Sequence, residues 1–352
     1  MRILVTGGAG FIGSAFVRAA LAQGAYVCTL DKLTYAGRLS NLEEVSNHPR
    51  RQFIRGDIND AHLVADVLSS LAPDSIVNFA AETHVDRSIT DAAAFVLTNV
   101  QGVHTLLDAA LRYWERLPET AARAHFRFLQ VSTDEVFGAL GPTGAFTEAA
   151  PYAPRSPYAA SKAAGDHLVR AWRHTYDLPA MIAISSNNYG PRQFPEKFIP
   201  MAIINAIEEE PIGLYGDGAQ IRDWIHVDDH VTALLEILQR GELGQSYLVG
   251  ARNERKNIDV AAAICDIVDE LSPRAGKGAR RRLIVQVPDR PGHDRRYAVD
   301  CAKLERTLGW RAAVGFEQGL RQTVAWYLAH RDWWTPVKGV ASKRLGMRAV
   351  AE

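Results

Sequence analysis

The chain has 352 residues, 47% of them hydrophobic and 23% charged, enough to bury one large core or two medium ones. Its 40 basic and 40 acidic residues cancel to a formal net charge of zero, which argues against a surface built mainly for nucleic acid or an anionic membrane. No apolar run reaches the length of a membrane span, and Cys28, Cys265 and Cys301 are far apart among apolar residues, so they read as reduced packing residues rather than metal ligands.

The first stretch, "MRILVTGG", runs straight into a strand and leaves no room for a signal peptide, so a cytoplasmic setting is expected. "RILVTGGAGFIGSAFVRAALAQGAYVCTLD" then reads as strand, glycine-rich turn, helix and strand. Gly8, Gly10 and Gly13 satisfy G-x-G-x-x-G, and Gly7, Gly10 and Gly13 satisfy the wider G-x-x-G-x-x-G form. Glycine permits the tight turn and lets backbone amides approach a pyrophosphate at a helix N-terminus. Asp31, ending the second strand, is placed to accept from a ribose 2′-hydroxyl and to repel a 2′-phosphate. NAD is therefore expected over NADP, a preference that the neighbouring Lys32 weakens slightly.

Strand-like runs at "QFIRGD", "SIVNFAAE" and "FRFLQVS" alternate with amphipathic helical runs, one of them an apolar stripe from Val100 to Trp114. Such alternation predicts an α/β fold with a doubly wound parallel sheet. Asp57 and Ile58 follow one strand and Ala80 and Ala81 another, at the carboxyl edge where these sheets bind ligands. Asp57 would suit an adenine amine, although each of these positions reads equally well as a helix cap.

"RFLQVSTDEVFG" ends a strand in a hydroxyl and two carboxylates: Thr133, Asp134 and Glu135. Side chains alternate faces along a strand, so all three serve one cleft only if the strand ends near Ser132 and the chain turns. Shortly after, Ser156 and Pro157 mark a helix start, with Tyr158 and Lys162 one turn apart on one face. A phenol is a poor base at neutral pH, but an adjacent ammonium favours its ionised form. After a dinucleotide loop, that pair reads as a tyrosine base for a hydroxyl that loses hydride to NAD.

At this point the sequence resembles the extended short-chain dehydrogenase/reductases, and more narrowly the dTDP-glucose 4,6-dehydratases. The resemblance is carried by "TGGAGFIGS", "AAETHVDRSI", "VSTDEVFG", "SPYAASKA", "NNYGPRQFPEKFIP", "GDGAQIRDWIHVDDH" and "DRPGHDRRYAVD". It implies Tyr158 as the base at the sugar C4 hydroxyl, Lys162 as its activator and Thr133 as the hydrogen-bond donor there. It further implies Glu135 as the base at C5 and Asp134 as the acid at the C6 hydroxyl, a division of labour that an epimerase does not need. For the cofactor it implies Gly7, Gly10, Phe11, Ile12, Gly13, Asp31, Lys32, Leu33, Thr34, Asp57, Ile58, Ala80, Ala81, Thr98 and Asn188, besides Tyr158 and Lys162.

For a nucleotide sugar it implies Thr83, His84, Asn187, Lys197, Phe198, Leu214, Tyr215, Arg222, Asn257, Asp289, Arg290, His293 and Tyr297. Arg222 is placed to meet a phosphate, whose oxygens its planar fork matches. His84 reads equally as a structural histidine, and Asp223, Asp228 and Asp229 read as caps and structural pairs. The run "RAGKGARRR" reads as a solvated loop.

The expected organisation is a Rossmann-type domain over 1–186 with an interleaved segment near 222–252. A smaller substrate-binding domain takes 187–221 and 253–335, and a frayed tail takes 337–352. Resemblance implies a homodimer, with no metal. The rival readings are another nucleotide-sugar dehydratase or 4-epimerase, and a non-catalytic NAD-binding regulator.

Overall fold

The structure is a computed structural model that describes residues 1–119 and 121–339. Its strands are β1 (Arg2–Thr6), β2 (Tyr26–Asp31), β3 (Arg51–Arg55), β4 (Ser75–Asn78), β5 (Arg127–Thr133), β6 (Ala180–Ser185), β7 (Asn187–Tyr189), β8 (Ile212–Tyr215), β9 (Ile221–His226), β10 (Ser246–Val249), β11 (Glu254–Lys256) and β12 (Ile284–Val287). Seven of them form one sheet in the order β10-β6-β5-β4-β1-β2-β3, every neighbouring pair parallel. The doubly wound α/β fold expected from the sequence is present.

Period-two alternation supplies both faces. In β1, Ile3 and Val5 face one core while Leu4 faces the other, and Val27 and Cys28 divide β2 in the same way. The first face is covered by helices Phe11–Ala22 and Val227–Arg240, the second by Ala61–Leu71, Gly102–Arg116 and Pro157–Tyr176. Strand order reverses at β1, whose neighbours are β2 and β4, and this opens a crevice at their carboxyl ends.

A further core forms around Tyr189, Ile203, Leu214, Trp224, Ile264 and Tyr327. It packs the helices Phe198–Glu208, Asn257–Leu271 and Phe316–Ala329 beside two small sheets, β11-β9-β7 and β12-β8. The chain crosses between the two regions: β9 pairs in the small sheet, whereas β10 returns to the large one.

Three local expectations change. The stripe begun at Val100 enters an α-helix only at Gly102, after a wide π-type turn over Leu97–Gln101. That turn lets Asn99 reach back: its Oδ1 accepts from the Glu82 N–H at 2.9 Å and its Nδ2 donates to Ser161 Oγ at 2.8 Å. The basic run is not simply a solvated loop, because Arg280 is buried, donating to the Ala206 carbonyl and Asp269 Oδ1 at 2.7 Å each. Of the expected tail, Val337 and Lys338 end a helix, Arg331–Lys338, and residues 340–352 lie outside the described residues.

Candidate active site

The glycine loop is closed to larger side chains. Gly7 has φ +68°, and a Cβ there would lie 2.6 Å from the Ala80 amide nitrogen; one on Gly13 would lie 2.3 Å from the Gly7 carbonyl oxygen. The helix that follows starts at Phe11 with no side chain capping it, so its first amides are available to an anion. A dinucleotide pyrophosphate fits this cradle. Gly7, Gly10, Phe11, Ile12 and Gly13 all line the crevice, together with Asp31, Lys32, Thr34, Asp57, Ile58, Ala80, Ala81 and Thr98.

Each Asp31 oxygen already accepts a backbone N–H, from Ala9 at 2.9 Å and from Leu33 at 2.8 Å, which fixes the carboxylate at the crevice wall. Leu33 is not among the lining residues; it makes the turn, with φ 58°. Lys32 Nζ bridges Asp57 Oδ2 at 3.3 Å and Thr98 Oγ1 at 3.4 Å.

Thr133, Glu135, Tyr158 and Lys162 line the same crevice. Strand β5 runs one residue beyond Ser132, to Thr133, and a 3₁₀ turn over Asp134–Phe137 follows at once. The Ser156 hydroxyl caps the next helix by accepting from the Ala159 N–H at 3.1 Å, with Pro157 in its first turn. Tyr158 and Lys162 are both buried, and Lys162 Nζ donates to the Val131 carbonyl at 2.8 Å.

Asp134 differs from its two neighbours in not lining the cleft. It lies beneath them, 1% exposed, where Oδ1 accepts from Thr133 Oγ1 at 3.4 Å and Oδ2 has no hydrogen-bond partner.

Burial and the Glu135 charge beside it push the Asp134 carboxyl well above the usual carboxylate range. Burial also raises Glu135, but the Arg290, Lys197 and Arg222 cations oppose that rise. Both carboxyls are thereby raised, Asp134 further than Glu135, which is the direction that suits Asp134 as the acid of the pair. Burial and Glu135 push the Tyr158 phenol up, the opposite direction from that expected for a tyrosine beside a lysine. Burial lowers Lys162, which Asp166 opposes.

A second cleft adjoins the first and shares Glu135, Asn187, Glu196 and Lys197 with it. It is lined further by His84, Phe198, Leu214, Tyr215, Arg222, Asn257, Arg290, His293 and Tyr297. Arg222 is buried over the Tyr297 ring at 4.2 Å, its NH2 donating to the Asp294 carbonyl at 2.9 Å. Arg290 donates to Asp86 Oδ1 at 3.0 Å, and Tyr215 donates to Asp86 Oδ2 at 2.6 Å. Burial, then Arg290 and Arg222, bring His293 down to about 4. Asp289 is not a lining residue; it accepts from the Arg290 N–H at 2.9 Å and contacts His293 Nδ1 at 2.6 Å.

Thr83 lines the first cleft and its carbonyl accepts from Lys197 Nζ at 2.6 Å, tying the loops after β4 and β7 together. Asn188 also lines it, with its Oδ1 2.8 Å from His230 Nδ1. His84 both caps the helix Val85–Thr90 and approaches Glu196, Nε2 to Oε2 3.8 Å.

Asp223 and Asp229 accept backbone N–H groups, from Asn253 at 2.7 Å and Val314 at 2.9 Å, as structural acids. Sequence reasoning missed Asp86, Glu196 and Asp166. Glu196 carried a signal, an acid between Pro195 and Lys197 in a stretch already singled out; Asp86 lay inside another.

A family model described as GDP-mannose 4,6 dehydratase matches residues 4–323. A dTDP-glucose 4,6-dehydratase of Xanthomonas campestris is 53% identical, with 96% of this chain and 95% of that protein covered. One from Salmonella typhimurium is 49% identical, with 97% and 96% covered. Among solved structures, DesIV, a dTDP-glucose 4,6-dehydratase from Streptomyces venezuelae with NAD and dTDP bound, matches with TM-score 0.87 and 45% identity, covering 96% of this chain and all of that one. A Thermus thermophilus UDP-glucose 4-epimerase in complex with NAD matches with TM-score 0.81 and 30% identity, covering 94% and 100%. On this likeness, close to half identical over nearly the whole length, the chain belongs to the dTDP-glucose 4,6-dehydratase family.

Proposed function

We propose that the chain converts dTDP-glucose to its 4-dehydro-6-deoxy derivative with NAD as a retained cofactor. The observation that carries this reading is the sharing of Glu135 between a crevice floored by the glycine loop and a cleft lined by Arg222 and Arg290. One carboxyl thus faces both the place for a dinucleotide and the place for a diphosphate sugar.

Each residue's role follows from its chemistry. Tyr158 takes the proton of the C4 hydroxyl, Thr133 shares the hydrogen bond at that oxygen, and Lys162 supplies the ammonium that makes phenolate accessible. A nicotinamide ring held beside Tyr158 and Lys162 would supply the hydride chemistry at C4 and C6, and its positive charge would oppose the rise of the Tyr158 phenol. The ketone at C4 acidifies the C5–H, and Glu135 removes that proton. Asp134, its carboxyl raised by burial, turns out from beneath Thr133 and Glu135 to donate to the C6 hydroxyl, which leaves as water. A proton then returns to C5. The proton gained by Tyr158 and the one lost by Asp134 cancel through solvent.

Arg222, Arg290 and Lys197 meet the diphosphate, and Tyr215, His293 and Tyr297 frame the nucleoside. Asp31 holds the adenosine ribose of the cofactor and Asp57 its adenine. The region through 186, with its interleaved return, serves the cofactor and the rest serves the sugar nucleotide.

We infer a homodimer as well, from Val96 and Leu97, 55% and 52% exposed beside the Gly102–Arg116 helix. The described helices include none long and apolar enough to cross a membrane, and the free, buried cysteines fit a reducing cytoplasm.

The test is Glu135→Gln. With dTDP-glucose, this variant is expected to reduce its NAD while losing water elimination by a factor of at least ~10². Normal elimination by the variant would remove Glu135 from the role of C5 base.

A further inference from the structure

The helix that carries Tyr158 and Lys162 carries a third ionisable residue one turn further on. Asp166 is 0% exposed. Its Oδ2 accepts from Ser132 Oγ at 2.5 Å and from the Tyr152 hydroxyl at 2.9 Å, and its Oδ1 has no hydrogen-bond partner. Tyr152 is itself held by Arg170, whose NH2 donates to its hydroxyl at 2.8 Å and whose guanidinium lies 4.5 Å over its ring. Ser132 is the residue before Thr133, and Lys162 donates to the carbonyl of Val131, the residue before that. One carboxylate and one ammonium therefore grip successive residues of the strand that ends in Thr133 and leads into the turn bearing Glu135.

We propose that Asp166 is a positioning residue of this site, a buried counter-charge that keeps Lys162 an ammonium and locks the end of β5 against the catalytic helix. This rests on the reading of Tyr158 and Lys162 as the proton-transfer pair. A buried carboxylate with two donors and an empty lone-pair site is an arrangement that packing alone does not require, since an apolar side chain would fill the space without desolvating a charge.

The charged and titratable groups around it are few. Lys162 and Arg170 lie on its own helix and Tyr152 on the preceding loop, while the turn after β5 brings Asp134 and Glu135 beside Tyr158. His104 meets Trp172 edge-on and His167 lies tilted against Tyr152. Strand β6, also packed against the helix, brings only apolar residues and Ser185.

The direction of the effect follows from charge. Burial raises the Asp166 carboxyl, a rise opposed by Lys162, the Ser132 and Tyr152 hydrogen bonds and Arg170. As an anion it raises the pKa of its neighbours, and it acts this way on both Tyr158 and Lys162. Its removal lowers both, so the two limbs of the pH profile move together. Packing defects have no such signature; they reduce the height of the profile and leave its limbs in place.

The experiment measures kcat/KM for dTDP-glucose against pH in Asp166→Asn, which keeps an acceptor for Ser132 and Tyr152 but removes the charge. The expected result is a shift of both limbs to lower pH by about one unit, with Asp166→Glu keeping them at the parent position. Tyrosinate absorbance, taken as the difference between each protein and its Tyr158→Phe counterpart, should titrate at lower pH in the Asn background. That readout needs no turnover. If Asp166→Asn does not fold, Asp166→Ser gives the same comparison. Limbs and tyrosinate titration that stay in place would overturn the proposal. Undiminished activity of Tyr158→Phe would instead overturn the reading on which it rests.

Discussion

The Tyr35 hydroxyl donates to Glu196 Oε1 at 3.1 Å, joining the loop after β2 to the turn that separates the two clefts. The Tyr35 ring also meets Phe194 edge-on at 5.4 Å, and the Arg87 guanidinium lies 4.2 Å over it. Burial and the Glu196 carboxylate push the phenol well above its ordinary range, so it remains a donor. The loop that carries Lys32 and Thr34 is thereby clasped from the substrate side.

Tyr35→Phe removes this clasp and leaves a buried carboxylate oxygen without its donor, at a cost of about 1–3 kcal/mol. The variant should be purified with less NAD than its parent and should depend on added NAD for activity. Nucleotide released on denaturation, measured by absorbance, checks this; full retention would show that the clasp does not govern cofactor release.

Gly13→Ala sets a Cβ 2.3 Å from the Gly7 carbonyl oxygen, a backbone atom that cannot swing away. Overpacking of this kind costs about 1–3 kcal/mol, and the displaced loop should lose NAD. Gly141→Ala, with nothing within 4 Å of its Cβ, should stay within about 0.5 kcal/mol of the parent. Thermal melts with and without NAD separate the two, and equal behaviour would contradict the fit of the loop.

Asp134 offers a pH test of the acid assignment. Its folded pKa lies well above the ordinary value of 3.8. The stabilisation from binding that proton is complete below the unfolded pKa and is lost as pH rises through the folded one. Asp134→Asn mimics the protonated form at every pH. Its melting temperature should therefore match the parent's in acid and exceed it by a few degrees at neutral to alkaline pH, on the order of 1 kcal/mol. A difference that does not grow with pH would mean that folding does not raise the Asp134 carboxyl, and the C6 acid would have to be sought elsewhere.

Much of this site was legible because it sits where chain and sheet geometry leave few choices. Gly7, Gly10 and Gly13 follow β1, Asp31 closes β2, and Ser156-Pro157 starts the helix bearing Tyr158 and Lys162; each is a local rule applied at a strand or helix end. What was not legible came from long-range contacts. The burial that raises Tyr158 and hides Asp134 depends on which residues fold over the strand end, and no spacing reports that. Arg280 reads as one more exposed arginine until the Ala206 carbonyl and Asp269 are brought to it from two helices. Asp166 does share a helical face with Lys162, yet only the approach of Ser132 and Tyr152 distinguishes it from a surface acid. The wide turn at Leu97–Gln101 likewise depends on Asn99 finding Glu82, from another loop.

The most direct measurement is mass spectrometry of dTDP-glucose incubated with the purified protein in deuterated water, without added NAD. The expected product is lighter by one water, deuterated at C5 and formed without any external oxidant. An unchanged mass with inversion at C4 would make the site an epimerase. A substrate left untouched even with NAD supplied would mean that the site carries out neither oxidation at C4 nor elimination.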